Sequence, residues 1–318
     1  MTFFSILFAL LIEQLKPLRA DNPVYAGARM LAAKLEGSFN AGQAHHGRLA
    51  WALMVAAFAL PVALLYWIAF RLGFFAVLLL NVAVVYLTLG FRHYSHFFTS
   101  IQLALNSGDE ATARALLSEW TGRDTAGMDA SEVARITVET ALVTTHRNVF
   151  GVFFWILTPL GAVGAVIYRI AEYLSRVWNE PRMAERDEFG RFASQAFYWI
   201  DWIPVRLTAA AFAVVGNFED AIYAWRNFAS RWQDEAVGII LSAGGGAMGI
   251  RLGASLENAS DLKTMDADMT DATAVEPDVP PGEEATGRAL QSTVGLVWRA
   301  LLLWMLLVLL LSIAKWLG

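Results

Sequence analysis

The sequence predicts an all-α protein of the membrane: a polytopic integral membrane helical protein with extramembrane helical segments. Three observations carry that prediction. Of 318 residues, 57% are hydrophobic and 17% charged, with a mean hydropathy of +0.46, whereas a soluble domain carries about 25% charged residues. The apolar residues are gathered into long blocks. Between the blocks there is no strand-like alternation and no internal repeat.

Each element follows from its own stretch. Thr2 to Ile12 is apolar, lacks a basic leader and a small-residue cleavage site, and is closed by Glu13, so 1–14 is expected as a short membrane-embedded helix. Leu49 to Phe70, carrying Pro61, and Leu72 to Gly90, interrupted by Asn81 and Thr88, flank Arg71. Each approaches the roughly 20 residues that cross about 30 Å of hydrocarbon, which predicts a transmembrane hairpin over 49–90. Arg48 and its preceding segment lean cytoplasmic by the positive-inside rule.

Residues 91–148 are expected as an extramembrane helical region. Ile101, Leu105, Ala115 and Trp120 sit at helical spacing, broken by Asn106 to Asp109, which can cap a helix from Glu110. Val149 to Tyr168 is free of charge and includes Trp155, Pro159, Gly161 and Gly164; a transmembrane helix is expected over 149–170. Residues 171–253 read as a helical region with a re-entrant or short-spanning helix at 203–216, broken by Arg206. In 254–293 a disordered acidic linker is expected, because 257–287 holds nine acidic residues against Lys263, with Pro277, Pro280, Pro281 and no aromatics. Val294 to Trp316, with a single charge at Arg299 before Lys315, predicts a C-terminal transmembrane helix over 294–317.

Composition also excludes chemistry. Without cysteine there is no disulfide, thiolate–zinc site, iron–sulfur cluster or cysteine nucleophile. A net charge of −5 with pI near 5.6 argues against nucleic acid as a partner. His93 and His96 share a helical face, yet no carboxylate lies within a turn of them, and His45 and His46 diverge on any regular element; no metal site is expected. The run Gly244-Gly245-Gly246-Ala247-Met248-Gly249-Ile250-Arg251-Leu252-Gly253 lacks the Gly-Lys-Ser/Thr ending of a nucleotide loop. It reads as a flexible hinge or as a place where backbone approaches a ligand closely. Gly122-Arg123-Asp124-Thr125 offers an anion-binding cation beside a carboxylate, and equally a turn before a helix start. Arg169 and Arg206 end apolar stretches and read as snorkelling, with Arg206 beside Pro204 the better candidate to face a polar cavity.

Taken in order, Gly122 to Thr125, Glu139-Thr140, Phe154-Trp155, Gly161, Gly164-Ala165, Tyr168-Arg169, Trp202 to Leu207 and Met248 to Gly253 resemble the CobD/CbiB cobalamin-biosynthesis family over roughly 10–253. The resemblance implies an adenosylcobinamide-phosphate synthase, a polytopic membrane enzyme that makes an ATP-dependent amide between an aminopropanol-type group and a corrinoid carboxylate. The chain departs from that pattern where carboxylates belong. Leu142-Val143-Thr144 and Arg147-Asn148 stand for Ala-Glu-Asn and Asp-Gly, Glu172 to Ser175 for Asn-Thr-Leu-Asp, Phe197-Tyr198 for paired aspartates, and Glu13 for an early Asp. A sister group, the AmpE proteins, is similar in the Glu-x-Leu opening, in Arg92-His93-Tyr94 and in Asp201 to Leu207; it is an inner-membrane group linked to cell-wall sensing.

The expectation is therefore a bacterial inner-membrane, multi-pass, AmpE-like regulatory or accessory protein. Its candidate ligand cleft is built from Arg123, Asp124, Thr125, Glu139, Arg206, Gly246 and Arg251. The bilayer and an anionic or corrinoid small molecule are its expected partners, with no certain cofactor. The alternative is a working adenosylcobinamide-phosphate synthase, for which ATP and magnesium would be required. A transporter fits poorly, since no inverted repeat or mid-span acid is visible.

Overall fold

The computed structural model describes residues 2–18, 22–40, 44–179, 188–253 and 282–317. Among these the backbone is helical apart from turns and one isolated bridge between Ile250 and Glu283. It divides into two compact units.

The first unit comprises Met1–Ser95, Thr145–Leu207 and Leu301–Gly318. Helix α1 (Thr2–Leu15) buries Ser5, Ile6, Ala9 and Glu13 along one stripe and packs on α4 (Phe74–Thr88). At 14 residues it is about 21 Å long, short of a full crossing. Helix α2 (Pro23–Phe39) starts at Asn22, whose side chain accepts the Tyr25 N–H, and has proline in its first turn. It packs on α3 (Ala44–Leu72), which runs unbroken through Pro61. Gly73, at φ +108, makes the abrupt junction to α4 that a residue with a Cβ would resist. Ala28 and Ala32 of α2 meet Ala50 and Met54 of α3 and Leu174 and Trp178 further on, small residues letting the helices close.

One spanning helix is expected over 149–170; the chain there forms two. A π-turn (His146–Phe150) leads into α8 (Gly151–Leu157), and after Thr158 to Leu160 the chain restarts as α9 (Gly161–Val177). Pro159 has no N–H to continue α8, and Gly161 takes φ +54. The two pieces then pack on each other, with Gly164 against the Trp155 carbonyl.

The expected short helix at 203–216 is likewise corrected. It is the C-terminal part of α10 (Arg191–Val215), a 25-residue helix that contains Pro204. Among the described residues three helices are long and apolar enough to cross a membrane: His45–Leu72, Arg191–Val215 and Gly287–Ala314. The first has only 17% of its most apolar stretch buried, and Leu60, Leu64, Trp67 and Phe70 point outward from it. Such a surface needs lipid rather than water around it.

The second unit comprises His96–Thr144 and Thr208–Ala300; the boundaries fall inside α5 (Phe91–Asn106), α7 (Ala130–Thr145), α10 and the last helix, α13 (Gly287–Leu317). Its α6 (Glu110–Thr121) is capped by Asp109, which accepts the Thr112 N–H. Helix α7 (Ala130–Thr145) follows, and α11 (Phe218–Phe228) packs on α12 (Glu235–Met248). Gly244 to Met248 of the glycine run lie inside α12, Gly249 is its left-handed cap, and Ile250 to Gly253 continue beyond it. A Cβ on Gly246 would meet the Asp220 carbonyl at 2.5 Å, one on Gly245 the Ile250 carbonyl at 2.7 Å, and one on Gly244 the Leu142 side chain at 2.8 Å. These glycines allow close packing within the protein itself. Helix α13 begins at Gly287, inside the stretch expected as linker; residues 254–281 of that expectation lie outside the described residues.

Candidate functional site

Of the residues expected to line a cleft, Arg206 belongs to the first unit and Arg123, Asp124, Thr125, Glu139, Gly246 and Arg251 to the second. Arg123 is exposed, and its carbonyl accepts from Ser118. Asp124 accepts the Ala126 N–H, and Thr125 donates to the Arg114 carbonyl. The stretch is thus a self-satisfied turn after the left-handed cap at Gly122. Glu139 pairs with Arg135 at 3.0 Å and accepts the Gly253 N–H at 2.9 Å, so it anchors the end of the glycine segment. Gly246 is buried in α12. Arg251 donates to the Gly282 carbonyl, beside the bridge to Glu283. Arg206 lies in the first unit, its guanidinium 4.0 Å from the Trp202 ring. The side chain of His93 lies outside the described ones.

A cavity of about 540 Å³ opens instead within the first unit. Its floor is charged. Glu172, buried on α9, lies 3.3 Å from Arg169 and 3.6 Å from Arg176. Glu13, 3% exposed, enters from α1, and Arg29 from α2. Asn148 of the π-turn reaches the cavity beside Gly90, where a Cβ would come within 3.5 Å of the Asn148 side chain and 3.7 Å of Arg169. Tyr25 completes the wall; its hydroxyl donates to the Leu87 carbonyl at 2.8 Å. Burial pushes the Tyr25 phenol above its ordinary pKa, an effect opposed by the nearby Arg169 guanidinium.

Three arginines against two carboxylates leave the cavity net positive. Planar guanidiniums suit phosphate or carboxylate oxygens, and the carboxylates suit an ammonium. Among the described residues no group of three or more His, Asp or Glu could hold a metal ion, and Glu172 is already shared by two arginines. The donor set therefore fits an organic anion or zwitterion better than a protein-held cation. Of the lining residues, Arg169 was read as snorkelling; it faces this cavity instead.

The family model described as CobD/Cbib protein matches residues 6–276. The chain belongs to the CobD/CbiB family. It is 31% identical over 316 residues to the cobalamin biosynthesis protein CobD of Stutzerimonas stutzeri, covering 96% of this chain and 97% of the relative. To its namesake from Chromobacterium violaceum it is 34% identical over 209 residues, 65% of each chain. The probable cobalamin biosynthesis protein CobD of Thermoplasma acidophilum is 30% identical over 155 residues, 47% of this chain and 49% of the relative. No solved structure matches the chain.

The near-full-length relative is a cobalamin protein, and the AmpE-like regulatory expectation finds no support among these matches. Of the departures, Glu13, Asn148 and Glu172 line this cavity together with Arg169 of the matching Tyr168-Arg169 pair, whereas Leu142 to Thr144 and Phe197-Tyr198 are not among its lining residues.

Proposed function

We propose that this protein is a multi-pass enzyme of the bacterial inner membrane. It performs the amide-forming step of cobalamin biosynthesis that joins an amino-alcohol arm to a corrinoid carboxylate. The observation that carries this reading is the convergence of Glu13, Asn148, Arg169 and Glu172 on one charged cavity in a chain aligned over nearly its whole length with a cobalamin biosynthesis protein.

The chemistry needs an amine made neutral beside an activated carboxyl group, with anionic charge held while the amide forms. Glu13, buried and acidic, would accept a proton from an incoming ammonium. Arg29, Arg169 and Arg176, which line the cavity, would hold the phosphate or carboxylate oxygens against which charge builds. ATP would supply the activation, its phosphates answering the arginines, and magnesium would come on those phosphates, which need only one or two protein carboxylates. A 540 Å³ cavity is of a size for a drug-sized ligand, so it suits the amino-alcohol arm while the corrin ring stays outside.

The test is complementation of a strain lacking adenosylcobinamide-phosphate synthase, scored as cobalamin-dependent growth. Growth is expected with the wild-type chain and not with Glu13→Gln. Absence of growth with the protein present in the membrane fraction would sink the proposal.

A further inference from the structure

The cavity wall rests on a second layer of polar residues that the proposed chemistry does not use. His146 and Asp201 are each 2% exposed and Tyr168 is fully buried. His146 Nε2 lies 2.9 and 3.0 Å from the two Asp201 carboxylate oxygens, and the Tyr168 hydroxyl donates to Asp201 Oδ1 at 3.1 Å. Asp201 thus ties α10 to the π-turn and to α9. Leaving a buried carboxylate without such partners costs far more than the bonds contribute net, so the three residues are held together as a set.

The π-turn makes the set possible. Residues five apart in a regular α-helix point about 140° away from each other. Here the Gly151 N–H bonds the His146 carbonyl, which stacks residue 151 over residue 146. A Cβ on Gly151 would fall on the Tyr168 hydroxyl; glycine there leaves the room in which Tyr168 reaches Asp201. A further tie runs from Trp155 Nε1 to the Ile200 carbonyl at 3.3 Å. The residues next along the chain do face the cavity: Asn148 two after His146, and Arg169 one after Tyr168.

We infer that His146, Asp201 and Tyr168 are positioning residues, a buried network that fixes the π-turn and α9 so that Asn148 and Arg169 present their side chains to the cavity. The inference rests on reading that cavity as the reaction site. Supporting residues of this kind change affinity or activity about 10- to 100-fold when altered.

The test uses the full chain in nanodiscs with inorganic phosphate as the probe, read as the phosphate-dependent rise in unfolding temperature. Wild type should be stabilised by phosphate and Arg169→Gln should not. Asp201→Asn should weaken phosphate about tenfold, and Tyr168→Phe, which removes one oxygen and keeps the ring against Gly151, roughly threefold. A merely structural role would lower the unfolding temperature without phosphate and leave the phosphate affinity alone. If Asp201→Asn does not fold, Tyr168→Phe decides. A phosphate effect lost in Arg169→Gln but kept within twofold in the folded network variants overturns the positioning role alone. No phosphate effect in wild type overturns the cavity reading and this inference with it.

Discussion

Glu172 is the residue on which the cavity's electrostatics turn. Buried between Arg169 and Arg176, it keeps a guanidinium aimed into the cavity rather than toward solvent. Arg169→Gln is expected to lower cobalamin yield in the complemented strain roughly 100-fold, the loss typical of a missing charge-stabilising donor, with helicity by circular dichroism unchanged. Tyr25 gives a pH signature. Its neutral form is favoured by burial, so the stability it contributes is complete below its ordinary pKa and is lost as pH rises through the raised one. The alkaline unfolding limb should therefore flatten in Tyr25→Phe, checked by denaturation above pH 10. None of this was legible from residue types alone. Arg169 at the end of an apolar run has the same local sequence whether it snorkels or faces a cavity, and its partner Glu172 was read as a departure from a family motif.

At the scale of elements, propensity and packing compete. Glycine costs about 1 kcal/mol per helical position relative to alanine, so the run from Gly244 reads as a flexible hinge or a close ligand approach rather than as helix. Close backbone approach overrides that cost. Gly246→Ala must displace the Asp220 carbonyl and is expected to destabilise by about 1–3 kcal/mol. Gly127→Ala, with open space around it, should be near neutral; thermal unfolding of the pair checks both. Removing the α12 cap, where Asp234 accepts the Ala236 and Val237 N–H groups, should cost about 1 kcal/mol as Asp234→Ala. Apolar length did identify where helices lie, because burial in lipid needs it. It missed the interruption at Pro159, since a charge-free run looks the same whole or broken. The π-turn was invisible for a related reason: its residues pair at a spacing of five, outside the three-and-four rhythm by which helices are read.

The whole molecule is assembled from separated stretches of chain. The second unit needs both His96–Thr144 and Thr208–Ala300: Gly253 depends on Glu139 and Gly244 packs on Leu142. Residues 208–300 expressed alone should be degraded or poorly helical, and co-expression with 96–144 should improve their helicity. Three long helices with outward leucines and aromatics predict that the full chain stays in the pellet after alkaline carbonate washing and is released only by detergent. The cavity itself draws on α1, α2, the π-turn and α9, which explains why no local motif announced it. The π-turn adds a consequence for how this lineage can vary. The Gly151 N–H bonds the His146 carbonyl across five residues where an α-helix would use four, so removing one residue from 147–150 would restore the four-apart bond and leave Gly151 over His146. What would change is which of the intervening side chains faces the cavity, Asn148 first among them. The turn thus holds one residue more than the helix on either side of it requires, and homologues that place no side chain where Asn148 stands should be one residue shorter here, with α8 unchanged beyond it.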